Sequence, residues 1–138
     1  MHFNQNEARE IVMKHYMNPE NKKNLNEATD TQSFFSTSCA DKLVLKRKWK
    51  GDLLDEVSFD GHGCAIFLAS TDIFLNLIKN KNKDEIARIK EIYTKFVKQE
   101  NLTEEEISSL GELWVFFNVK THLNRVNCAL LISESILK

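Results

Sequence analysis

The sequence predicts an α+β fold in one domain over residues 1–138, a small antiparallel β-sheet packed against several helices. Two changes of hydrophobic period predict it. Apolar residues recur at helical spacing near the start, alternate with period two across residues 42–60, and then return to helical spacing for the rest of the chain.

Ala8, Ile11, Val12 and Tyr16 share one helical face within residues 6–16, and Pro19 after Asn18 ends the element, so an amphipathic helix opens the chain. Residues 21–31 are polar and turn-prone, a loop leading to a short extended piece around Phe34 and Phe35. In 42–50, Leu43, Leu45 and Trp49 alternate with Lys42, Lys46, Lys48 and Lys50. Gly51 and Asp52 supply a turn, and Leu53, Val57 and Phe59 resume the alternation, so 42–60 reads as a hairpin with a solvated, basic outer face.

Gly61-His62-Gly63 reads as a flexible bend that sets Cys64 at the start of a helix running to about Lys79. That helix is apolar almost all round, as a central buried helix is. Asn82 with Glu85, and Thr103 with Glu106, have capping-box spacing. The first opens a surface helix with Ile86, Ile89, Ile92, Phe96 and Val97 on one stripe, and the second a short helix stopping at Gly111. From about Asn124 a last helix carries Val126, Ala129, Leu130, Ser133 and Leu137 on one face, with Cys128 near its beginning.

Apolar residues are 42% and charged residues 28% of the 138, with one proline and four glycines, the composition of a globular protein. A formal net charge of -1 supplies no general field for nucleic acid. No stretch reaches the roughly 18 uncharged apolar residues that cross a bilayer, and the first residues lack the layout of a secretory signal. The expectation is a cytoplasmic protein without membrane or nucleic-acid partners. Three cysteines in a reducing compartment are metal-bound, catalytic or inert core more readily than disulfide-linked.

Those cysteines stand in Cys39-Ala40-Asp41, Gly61-His62-Gly63-Cys64 and Arg125-Val126-Asn127-Cys128, each where a regular element begins. Thiols at helix starts are favoured as thiolates by unpaired backbone N–H groups and the helix dipole. Three thiolates and the Asp41 carboxylate make the four donors that tetrahedral zinc takes. The oxygen donor is the harder and more easily displaced member, and the filled site would carry a charge of about -2. Spacing alone leaves the alternative open that Cys64 and Cys128 are small buried hydrophobes. His15 reads as a helix-face residue and His2 as terminal, and His122 has no metal-ligand spacing to Cys128.

The segments His15-Tyr16-Met17-Asn18-Pro19-Glu20-Asn21, Val57 through Ile66, Ala69-Ser70 and Arg125-Val126-Asn127-Cys128-Ala129 together resemble the U-type assembly proteins of iron-sulfur biogenesis. The resemblance covers nearly the whole chain in order, and is to the SufU branch. The region 82–111 leaves room for the SufU insertion between the second and third cysteines. Asn127 stands where the IscU branch has histidine, and the Leu-Pro-Pro-Val-Lys chaperone motif is missing.

What the resemblance implies is specific. Zinc would be held by Cys39, Asp41, Cys64 and Cys128. Sulfur would come from a SufS-type cysteine desulfurase, a histidine of which displaces the first cysteine from zinc, so that Cys39 accepts the persulfide sulfur and downstream assembly machinery receives it. Arg125 matches a SufU-typical arginine that would support Asp41 or meet the partner, the plainer alternative being a surface charge. Ala40 departs from the glycine usual between the first cysteine and the aspartate, a strained substitution if that position needs positive φ. The alternative activity is a scaffold on which a [2Fe-2S] cluster is built, and a third is a zinc-stabilised interaction domain.

Overall fold

A computed structural model describes residues 3–37, 40–121 and 123–138, except for the side chains of Leu123 and Asn124. Helix α1 spans Gln5–Met17, strands β1, β2 and β3 span Asp30–Phe35, Lys42–Lys50 and Leu53–His62, and helices α2, α3 and α4 span Ala65–Ile78, Lys83–Val97 and Glu104–Ser108. A 3-10 segment, Gly111–Thr121, precedes α5, Leu123–Ser135. The α+β expectation is met.

Asn4 caps α1 by accepting from the Glu7 amide at 3.0 Å. Its inward face is Ala8, Ile11, Val12 and His15, while Tyr16 is 40% exposed. His15 is therefore a buried residue and not merely one on a helix face. Positions 8, 12 and 15 complete two turns of one stripe, and Tyr16 lies just past its edge.

The sheet runs β1-β2-β3, both pairs antiparallel, with Phe35 opposite Lys42 and Lys42 opposite His62. Gly51 turns the β2–β3 hairpin with φ +62°. Gly61 and His62 continue β3, which corrects the expected flexible bend. Gly61 has φ +131°, and a Cβ there would lie 1.9 Å from the Lys42 carbonyl oxygen, so this glycine permits the close strand pairing that carries β3 up to Cys64.

The inner face of β2 holds Leu43 and Leu45, and also Arg47, only 2% exposed. Its guanidinium donates to Asp30 Oδ1 at 2.8 Å, Gln32 Oε1 at 2.9 Å and the Ile136 carbonyl at 2.8 Å, which satisfies a buried charge and fastens the end of α5 to the sheet. On the outer face Lys48 lies within 3.9 Å of carboxylates on Glu27, Asp55 and Glu56, so part of the basic face is neutralised by its neighbours.

Helix α2 is the centre of the molecule, buried continuously from Phe67 to Leu75. Both capping boxes form, Asn82 with Glu85 and Thr103 with Glu106. The short helix ends at Ser108, and Gly111 opens the 3-10 segment, whose Leu113, Val115, Phe116 and Val119 reach the core. Helix α5 packs against α2, α3 and this segment, so Cys128 through Ser133 are all buried and not one face only. Among the described residues no helix is long and apolar enough to cross a membrane.

Candidate metal centre

Three elements deliver three donors to one point. Asp41 directly precedes β2 and is 2% exposed, Cys64 is the N-cap residue of α2 and half-buried, and Cys128 lies in α5 with no exposed surface. One carboxylate oxygen and the two Sγ atoms all lie within 4.8 Å of one another, close enough to share an ion. The group is assembled by tertiary packing, since 23 residues separate Asp41 from Cys64.

The β2–β3 register sets Asp41 beside the residues that follow His62. There Asp41 Oδ1 accepts the Cys64 backbone N–H at 3.0 Å. Asp41 Oδ2 is buried with no hydrogen-bond partner among the described residues. A buried carboxylate oxygen left so carries a desolvation penalty that a cation would relieve. The connection between β1 and β2 is closed at its base by the Ser36 amide donating to the Asp41 carbonyl at 3.2 Å. Helices α2 and α5 are tied next to the site by Ser70 Oγ donating to the Cys128 carbonyl at 3.4 Å.

Arg125 is exposed and faces the thiols. Negative charge on Cys64 and hydrogen bonding to it raise the guanidinium above its usual pKa, with Cys128 adding a smaller effect and partial desolvation opposing both. A cation at this place offsets the negative charge that collected thiolates and a carboxylate build up.

Of the residues expected from sequence, Asp41, Cys64 and Cys128 come together and Arg125 adjoins them. Cys39 and His122 lie outside the described residues, as does His2. The backbone angle that bears on Ala40 includes an atom of Cys39 and lies outside them too. His15 is not a member of the donor group and is bound instead to Asp72. Cys128 is both a core residue and a member of the group, so the two readings of it are compatible. Sequence reasoning missed Gly63. A Cβ built there would stand 2.2 Å from Asp41 Oδ1, and the glycine directly before Cys64 was the available signal.

The donor set, two soft sulfurs and one hard oxygen, suits a metal. The family described as NifU-like N terminal domain matches residues 7–129. The zinc-dependent sulfurtransferase SufU of Bacillus subtilis is 28% identical over 130 residues, 94% of this chain and 86% of that protein. The iron-sulfur cluster assembly scaffold protein IscU of Streptococcus pyogenes is 30% identical over 95 residues, 68% of this chain and 58% of that protein. In structure the chain is similar to a putative iron-sulfur cluster assembly scaffold protein for the SUF system from Fervidobacterium islandicum, with TM-score 0.84, 27% identity, and coverage of 93% of this chain and 92% of that one. With the family match spanning most of its length, the chain belongs to the NifU-like N-terminal domain family, among the SufU- and IscU-related proteins of iron-sulfur cluster assembly.

Proposed function

We propose that this protein is a zinc-dependent sulfur acceptor of iron-sulfur cluster assembly, taking persulfide sulfur from a SufS-type cysteine desulfurase and passing it to downstream assembly machinery. The observation that carries the reading is the convergence of Asp41, Cys64 and Cys128, together with the burial of Asp41 Oδ2 without a hydrogen-bond partner among the described residues. The B. subtilis relative, similar over 94% of the chain, supports zinc and sulfur transfer.

Cys39, Asp41, Cys64 and Cys128 would hold the metal. Bound there, zinc stabilises thiolates without redox chemistry of its own. In this reading buried Asp41 and Cys128 and half-buried Cys64 supply three of the donors, and Arg125 offsets their charge. Cys39 is the acceptor in this reading. Its thiolate attacks the outer sulfur of the donor persulfide, an S–S bond forms to Cys39 as the donor S–S bond breaks, and the donor cysteine leaves as a thiolate, with no net oxidation. The chemistry requires reduced thiols and fits the cytoplasm.

Metal analysis of protein purified without oxygen tests this. Near-stoichiometric zinc and a colourless protein are expected. A brown protein holding iron and sulfide would replace this reading with the scaffold reading, which the S. pyogenes relative favours. A Cys39→Ser variant should retain its fold and fail to take sulfur from a SufS-type desulfurase. Undiminished sulfur uptake would remove Cys39 from the acceptor role.

A further inference from the structure

We infer that Gly63 is a positioning residue: its missing side chain lets the Cys64 amide hold Asp41 through Oδ1, so that Asp41 is a fixed, one-oxygen donor through Oδ2. The inference rests on the metal reading above and goes past the identity of the ligands to how one of them is set.

Glycine serves space at this position, not backbone freedom. Gly61 two residues earlier needs glycine on both counts, with φ +131° and a Cβ 1.9 Å from a carbonyl oxygen. Gly63 has no left-handed φ, yet a Cβ there would fall 2.2 Å from Asp41 Oδ1, 2.9 Å from its Cγ and 2.6 Å from Phe67 Cδ2. Real Cβ contacts do not come so near, and the carboxylate has no slack in which to retreat, because Asp41 is buried and Oδ1 is bound to the Cys64 N–H at 3.0 Å. Any side chain at 63 therefore displaces Asp41 or the start of α2.

The two oxygens are thereby made unequal. Oδ1 is engaged by the amide of the residue whose thiol lies in the same donor group, and Oδ2 is buried and unpaired among the described residues. One backbone unit thus offers Sγ of Cys64 as a donor and uses its N–H to aim a second donor. Outer contacts that orient a ligand in this way are worth about 10- to 100-fold in metal affinity. Asp41 becomes a pre-set corner of the site. The easily displaced oxygen ligand expected from donor hardness alone does not match a carboxylate that is buried and held from behind.

Zinc affinity of the full chain, measured by competition with a chromophoric chelator, tests the role without reference to sulfur transfer. Gly63→Ala should weaken zinc by about 10- to 100-fold. In an Asp41→Ala background the same change should cost almost nothing, because the group it displaces is gone. Equal losses in both backgrounds would assign the effect to Phe67 or the backbone and overturn the role, as would an unchanged affinity in Gly63→Ala. Asp41→Asn keeps one oxygen for the Cys64 amide and turns an NH2 group toward the donors. It should fold as the parent does when metal-free, by thermal unfolding, and lose zinc as fully as Asp41→Ala. Retention of parental affinity by Asp41→Asn would overturn the oxygen assignment even if Gly63→Ala does not fold. Should Asp41→Ala itself cost nothing, the ligand reading fails. Should Asp41→Ala cost affinity while Gly63→Ala does not, only the positioning role falls.

Discussion

His15 Nδ1 and Asp72 Oδ2 lie 2.5 Å apart, 57 residues apart in sequence, with both side chains shut off from solvent. The pair joins α1 to the middle of α2. Asp72 also accepts from the Glu20 amide at 3.1 Å, the Asn21 amide at 2.7 Å and Asn21 Nδ2 at 2.9 Å, so one carboxylate organises the turn after Pro19. Asp72→Ala strands all of these donors and should cost about 3–5 kcal/mol in urea unfolding. The other ring nitrogen, Nε2, meets Glu112 at 3.3 Å, where the carboxylate is half-exposed, and Glu112→Ala should cost no more than about 1 kcal/mol. Similar losses for the two variants would mean that Asp72 is not the hub of this network.

Gly61 and Gly51 both have positive φ and offer a contrast. Around Gly51 a Cβ meets nothing within 4 Å, so Gly51→Ala should cost only left-handed strain, about 1–2 kcal/mol. Gly61→Ala adds a collision with the Lys42 carbonyl and should part β2 from β3 next to Asp41. Its loss in urea unfolding should exceed that of Gly51→Ala by at least about 1 kcal/mol. Amide exchange should also quicken at Leu43, opposite Gly61, and stay slow in the Gly51 variant. Equal exchange at Leu43 in the two variants would contradict the close-approach role.

What the sequence made legible follows from how local each signal is. The two capping boxes span three residues and form as expected, because donor and acceptor lie on the same turn. The alternation in 42–50 locates β2 and by parity sets Arg47 on the inward face with Leu43 and Leu45, but it does not reveal what satisfies the charge there, since the acceptor on Ile136 is 89 residues away. Burial of His15 is hidden for the same reason. The apolar positions 113, 115, 116 and 119 fit no clean 3.6 or 2.0 period, so the 3-10 segment carries no ordinary helix or strand signal. At the candidate site, residue types and the family resemblance brought Asp41, Cys64 and Cys128 forward. The inequality of the Asp41 oxygens comes from strand register and the entry to α2, which no spacing records.

Arg125 is exposed and electrostatically coupled to Cys64 and Cys128, so the proposed site predicts that it acts there through charge. Its pKa is raised from a value already far above neutrality, so the guanidinium is charged throughout the neutral range. Its stabilising effect is fully present below the pKa of an unfolded arginine and would be lost only as pH rises past the raised folded value. Salt is therefore the useful variable. Arg125→Ala should leave unfolding stability within about 0.5 kcal/mol and weaken zinc retention at low ionic strength. The difference from the parent should shrink as salt is raised past roughly 0.15 M, where the Debye length is near 8 Å. A difference that persists unchanged in high salt would point to direct geometric support of the thiols instead of charge.

Tyr93 supplies a pH signature of the core behind the site. Its ring is fully buried, its hydroxyl donates to the Ala129 carbonyl at 2.9 Å, and burial pushes its pKa well above the usual 10. Below about pH 10 the tyrosine is neutral in both the folded and the unfolded chain, and its contribution is complete. Above that the unfolded chain releases the proton while the folded one keeps it, so stability drains as pH rises toward the folded value. Tyr93→Phe removes that proton and leaves the Ala129 carbonyl without this donor, at a cost of about 1–3 kcal/mol at pH 7. Between pH 10 and 11.5 the parent should lose stability more steeply than the variant, by up to about 1.4 kcal/mol per pH unit, and the two should converge. Urea unfolding at several alkaline pH values reads both slopes. Parallel slopes would mean that the hydroxyl is not the proton the folded state retains, and that the α3–α5 contact behind Cys128 opens before Tyr93 ionises.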